Sequence, residues 1–260
     1  MISNYKDKKL IEYLKPGMKV LIRFAHGWGD TLFFMPIFEK LKKLYPDVKF
    51  DIYLESGQEK IFKSYPDKDS KEHDLIFHLD FPMSEGSDLT KAEKCCVDEI
   101  GIEPIKEEVA DLPSYPSPLV AVHFQGTALP EQVSCPPLIA GQIWTEIKKC
   151  GLIPIECHFE HAWHNPINQR YFFVDSSVRG SKACLKNLIG LLQHCRAFIG
   201  VASGPFVTAL SIMPDRMLFL EKYHKLHNYT HKNISKVDIL NYQPGSVKKW
   251  LNNKILNELT

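Results

Sequence analysis

The 260-residue sequence predicts an α/β fold in two halves, each a mainly parallel sheet covered by helices. Three observations carry that prediction. Short apolar runs alternate with stretches of helical period along the chain. Two of those runs end in glycine-containing turns that open into helices, at residues 26–30 and 201–205. Between the halves, Pro113, Pro116 and Pro118 break the pattern before it restarts.

In chain order, Leu10, Ile11 and Leu14 recur at helical spacing within residues 5–15, until Pro16 and Gly17 stop them. Residues 18–24, apolar except for Lys19 and Arg23, read as a buried strand. Residues 31–44 keep Leu32, Met35, Phe38 and Leu41 on one helical side. Residues 48–54 alternate as a second strand, a short helix is expected at 58–62, and 74–79 supply a third strand. Residues 91–100 read as a helix closed by Gly101. Beyond the prolines, strands are expected at 119–124, 152–155, 171–174, 196–201 and 216–220, with helices at 139–150, 181–194 and 205–212. Residues 246–259 place Val247, Trp250, Leu251, Ile255 and Leu259 on one side of a final helix. Two α/β domains are expected, residues 1–115 and 119–245, followed by the helical segment 246–260.

Composition excludes several classes. Thirty-two basic and 31 acidic side chains give a net charge of +1, which requires no broad attraction to nucleic acid and leaves room for a local basic patch. Seven cysteines without a Cys-x-x-Cys pair suit free thiols in a reducing compartment. The polar N-terminus has no apolar segment of a signal peptide, and the apolar run 32–38 is too short to span a bilayer. A cytoplasmic protein without integral membrane contact is expected.

The first turn, His26-Gly-Trp-Gly-Asp30, places Asp30 near a helix start, where free N–H groups favour a carboxylate. Such a carboxylate can accept a proton from an attacking hydroxyl, or simply cap the helix. Gly27 and Gly29 bracket Trp28 as a ligand-contacting platform would, and His26 could meet a phosphate, a hydroxyl or Asp30. Leu32 stands where the dinucleotide fingerprint requires glycine, which excludes a dehydrogenase.

In the second half, His123, Gln125, Gly126 and Thr127 follow a strand at the end where open α/β sheets bind ligands, so they are candidates for a diphosphate or sugar. Ser203 suits a helix cap, Gly204 a close backbone approach and Pro205 a first helical turn, with the N–H groups of 204–207 offered to a pyrophosphate oxygen. Glu221 and Glu156 follow strands where a ribose diol would lie, and Lys182 or Arg179 could reach phosphate. His158, His161 and His164 cluster with Glu160, yet His-Glu-x-x-His is absent, so a loop without metal is expected.

Taken together, these segments resemble the ADP-heptose:lipopolysaccharide heptosyltransferases, glycosyltransferase family nine. Gly29-Asp30 with Pro36 and residues 41–46 is similar to that family's N-terminal signature, residues 180–192 to its helix before the nucleotide site, and 195–210 to its Asp-Ser-Gly-Pro-x-His-Leu-Ala motif. Here Ala202 replaces that Asp and Val207 that His. The resemblance implies a GT-B-like fold, two Rossmann-like domains facing across a cleft, and a final helix crossing back to the first. It implies a metal-independent transfer from a nucleoside-diphosphate sugar, the donor substrate, to an acceptor hydroxyl, with Asp30 as general base and no further cofactor. The acceptor would be a glycan or another hydroxyl-bearing compound. A modified base in DNA, making nucleic acid the acceptor, and a non-catalytic nucleotide-sugar-binding protein are the alternatives.

Overall fold

The computed structural model describes residues 2–3, 8–54, 72–81, 83–84, 86–105, 117–126, 130–157, 171–172, 182–231 and 233–257. Its chain divides into two units, Met1–Glu107 with His227–His231, and Glu108–Leu226 with Lys232–Thr260.

The first unit contains β1 (Ile2–Ser3), β2 (Lys19–Phe24), α1 (Trp28–Leu44), β3 (Lys49–Leu54), β4 (Leu75–His78) and the short helix α2 (Lys91–Lys94). The strands are all parallel in the order β1-β4-β2-β3. β2 is central, with Val20 paired to Phe50 on one side and Leu75 on the other, which explains the buried apolar run of Val20, Leu21 and Ile22. Phe24, at its carboxyl end, stacks on Phe34 of α1 with centroids 4.6 Å apart, so strand and helix share one core with Leu10, Ile22 and Leu41. α2 continues through a wider turn, Cys95–Ile100, that ends at Gly101 with φ 91, a left-handed position suited to glycine.

The second unit contains β5 (Leu119–His123), α3 (Pro130–Val133), α4 (Pro137–Lys149), β6 (Ile153–Cys157), β7 (Tyr171–Phe172), α5 (Lys182–His194), β8 (Ala197–Gly200), α6 (Gly204–Ile212), β9 (Met217–Glu221), β10 (Ser235–Asp238) and α7 (Ser246–Trp250). Its six strands are parallel in the order β10-β9-β8-β5-β6-β7. β8 and β5 lie inside this sheet and are apolar except for the buried His123 at the end of β5.

Several expectations need correction. Residues 10–13 form only a 3-10 turn, held by the burial of Leu10. The final helix, α7 with its continuation Leu251–Leu256, belongs to the core of the second unit. Val247, Trp250, Leu251 and Ile255 enter the second unit's core beside Val120, Ile143 and Ile147. Two edge strands, β1 and β10, were not foreseen; the sequence of β10, Ser-Lys-Val-Asp, has too few apolar residues to signal a strand. Nor is residues 119–245 one continuous domain, because His227–His231 belongs to the first unit. The expected helix at 58–62 and the histidine cluster at 158–164 lie outside the described residues.

Candidate functional site

The Asp30 site is built where β2 hands the chain to α1. Gly27 is the N-cap of α1 and accepts the Thr31 N–H (3.0 Å) and hydroxyl (3.1 Å), so Asp30 is the third helical residue. Gly27 has an ordinary extended conformation, φ −68, and a Cβ there would touch nothing, so neither strain nor space requires glycine. Trp28 is buried at 6% exposure, which makes it a packing residue of the first turn rather than the platform its position suggested.

What surrounds Asp30 comes from elsewhere in the sequence. Lys91, itself buried, places its Nζ 2.7 Å from Asp30 Oδ1 and 5.1 Å from the Phe81 ring centroid. The aromatic face compensates part of the desolvation of the ammonium, and the carboxylate supplies the counter-charge. Asp30 Oδ2 carries no hydrogen bond among the described residues, and the side chain keeps 21% exposure. One oxygen is therefore held by an ammonium while the other remains available.

His26 Nδ1 is 3.9 Å from Asp30 Oδ2, and Nε2 lies 3.4 Å from the Leu79 carbonyl. Since a carbonyl only accepts, Nε2 carries the proton of the neutral ring. Burial lowers the His26 pKa and Lys91 pushes the same way; Asp30 and the Leu79 carbonyl oppose them without reversing the direction. His26 is thus a neutral neighbour of the carboxylate at neutral pH. Tyr229 packs on Phe33 with centroids 6.1 Å apart, and burial, then the Asp30 charge, raise its pKa, keeping the phenol protonated. Gly29 lies in the same first turn of α1.

The candidates of the second unit fare differently. His123 Nδ1 bonds the Cys157 carbonyl at 2.6 Å, tying β5 to β6 from a buried position. Gly126 donates to Ser134 Oγ at 3.2 Å, and a Cβ there would come within 2.6 Å of Val133, so packing demands this glycine. Gln125 is half-buried beside it. Ser203 caps α6, accepting the Phe206 N–H on Oγ (3.2 Å), while its carbonyl accepts the Val207 N–H (3.1 Å). Pro205 has no N–H, so of the four expected anion donors only Gly204 keeps its amide open among the described residues. Val207 is buried at 2% exposure in a helix whose residues 205–210 are all buried.

Glu221 is not free for a ribose diol. Its carboxylate accepts the Leu226 N–H (3.3 Å) and Lys236 Nζ (3.1 Å). Glu156 is fully buried at the end of β6. Thr127 and Arg179 lie outside the described residues, as does the side chain of Lys182. A groove of about 880 Å³ runs along α4, lined by Leu138, Gln142 and Thr145 and by none of the candidate site residues. Among the described residues, no three His, Cys, Asp or Glu gather as metal ligands, and no helix is long and apolar enough to cross a membrane.

No protein-family profile and no curated protein matches this sequence. Solved structures do. TibC, an iron-containing dodecameric glycosyltransferase of enterotoxigenic E. coli, superposes with a TM-score of 0.61 at 14% identity over 95% of this chain and 78% of its own. E. coli ADP-heptose lps heptosyltransferase II gives 0.60 at 13% identity over 94% of this chain and 100% of its own. A glycosyltransferase of family 9 from Veillonella parvula gives 0.54 at 10% identity over 95% and 98%. The chain has a GT-B-like fold. The solved structures it is similar to include heptosyltransferases, the family whose motifs its sequence resembles. Within that GT-B-like frame, the first unit brings His26, Gly29 and Asp30 together and adds Lys91, Phe81 and Tyr229, none of which the sequence had marked.

Proposed function

We propose that this protein is a glycosyltransferase that moves a sugar from a nucleoside-diphosphate sugar to an acceptor hydroxyl. Asp30 is the general base of this reading. The observation that carries it is the half-held carboxylate: Lys91 takes Oδ1 at 2.7 Å, leaving Oδ2 without a hydrogen bond among the described residues. Oδ2 accepts the acceptor's proton as its oxygen bonds the anomeric carbon. The bond from that carbon to the diphosphate oxygen breaks, and its electron pair leaves with the nucleoside diphosphate. Lys91 orients the base, and neutral His26 sits beside it as a further polar contact for the acceptor. Structural neighbours described as heptosyltransferases, one of them in complex with ADP-D-beta-D-heptose, support a nucleotide-sugar donor. The donor belongs to the second unit, with the Gly204 amide as its remaining α6 contact and no metal ion in the step.

A second reading, a nucleotide-sugar-binding protein without turnover, draws on the occupied amides of α6 and the buried Val207. No observation favours a nucleic-acid acceptor. One experiment separates the two readings: hydrolysis and calorimetric binding of a panel of nucleoside-diphosphate sugars by wild type and Asp30→Asn, with and without EDTA. Catalysis predicts slow wild-type hydrolysis that EDTA leaves unchanged and that Asp30→Asn lowers by about 100-fold or more, with donor binding retained. Equal turnover in both proteins would remove Asp30 from the mechanism, loss with EDTA would remove metal independence, and binding without turnover in either would establish the second reading.

A further inference from the structure

The segment His227–His231 leaves the second half of the sequence to lie in the first unit, and three of its side chains hold three different parts of the Asp30 surroundings. Asn228, 1% exposed, accepts the Ser84 N–H at 2.9 Å and the Ser84 hydroxyl, fixing the loop that follows Phe81. Tyr229 stacks on Phe33 of α1, one helical turn from Asp30. His231 donates from Nε2 to Glu93 Oε2 at 2.6 Å.

The third contact bears on the base. Glu93 and Thr90 form a reciprocal capping box: Glu93 Oε2 accepts the Thr90 N–H (2.9 Å) and hydroxyl (2.8 Å), and Thr90 Oγ1 accepts the Glu93 N–H (3.3 Å). Burial works against charge on Glu93, but the Thr90 donors and His231 outweigh it and hold the carboxyl below its usual value. Lys91, the first residue of α2, lies with Ala92 between Thr90 and Glu93. The box therefore sets the direction of the Lys91 backbone, and with it where the ammonium meets Asp30.

We infer that His231 is a positioning residue for the Asp30–Lys91 pair, acting through Glu93. The inference rests on the reading of Asp30 as the base only for its functional consequence; the positioning itself is independent of it. Removing the His231 donor loosens the box, lets α2 open more often, and exposes Lys91. His231 is half exposed, so its replacement leaves the core untouched.

The test is the rate at which an amine-acylating reagent labels Lys91, read by peptide mass spectrometry in the full chain, for wild type, His231→Ala and His231→Gln. In His231→Ala, Lys91 labelling is expected to rise about three- to tenfold, with Lys42 and Lys149 unchanged, because only the local opening has become easier. Glutamine keeps a donor to Glu93 and brings the rate back towards wild type. With an active donor in hand, His231→Ala also lowers kcat and leaves the donor KM unchanged, and His231→Gln restores part of the loss. Lys91 labelling that is equal in wild type and His231→Ala would overturn the inference, as would labelling that rises at all three lysines. If no donor turns over, the proposed function fails while the labelling result still decides this one.

Discussion

At His26 the protein sets burial against charge. Burial and Lys91 favour the neutral ring, Asp30 the protonated one, and the net result is a pKa below the ordinary histidine value. The sign of the consequence is fixed. Between the folded and unfolded values, the unfolded chain binds a proton that the folded chain refuses, so stability falls as pH drops through that window. Above the ordinary value both states are neutral and the effect vanishes. Urea midpoints should therefore decline from about pH 6.5 downward, and His26→Gln should flatten that part of the curve. Parallel curves for the two proteins would show that His26 does not titrate in this way. Asp30 was legible in the sequence because a glycine turn before an apolar helix advertises a carboxylate at a helix start. Lys91 was not, since it stands 61 positions further on in a stretch that reads as an ordinary amphipathic helix. Ser203 caps α6 as its place before Gly204 and Pro205 suggests, and that cap takes the Phe206 and Val207 amides that were expected to meet a diphosphate.

At the level of elements, the buried strands were the easiest part to foresee. Central parallel strands are covered on both faces, so 20–22, 119–122, 197–200 and 217–220 leave continuous apolar runs. Edge strands carry no such signal, which is why β10 was missed. Periodicity also identified the apolar side of the last helix but could not name its partner. That partner is the face of α4 that presents Ile143 and Ile147, together with β5. Trp250 is 8% exposed in this core, so Trp250→Ala should cost about 3 kcal/mol, read as a lower urea midpoint at unchanged slope. A variant as stable as wild type would mean that α7 is an appendage rather than part of the second unit's core. The thiols agree with the interior setting: burial pushes Cys135 and Cys195 up to about 12, far from reactive.

For the molecule as a whole, the proline-rich stretch marked the change from one sheet to the other, yet the first unit is not a contiguous piece of sequence. It is completed by His227–His231. A fragment of residues 1–115 lacks Asn228, Tyr229 and His231, which leaves the Ser84 N–H and hydroxyl without the acceptor they have in the full chain. Stranding buried donors costs roughly 1–3 kcal/mol each, a large share of the stability of a small domain. The isolated fragment should accordingly melt lower and less cooperatively than the same residues in the full chain, as followed by circular dichroism and amide exchange. A fragment with full-chain protection at β2 and β4 would refute this. Sequence reading found both sheets because their strands are local signals, and overlooked the returning segment because five residues carry no period.

That return also imposes a schedule on synthesis. About 120 residues separate Glu107 from His231, so at roughly 5–20 residues per second the ribosome needs about 6–25 s to deliver the pieces that finish the first unit. For that interval the nascent sheet waits with an unfilled seat beside Phe33 and Ser84, an opening for a holdase or for a neighbouring chain. Slower translation would prolong the hazard, and faster translation would shorten it.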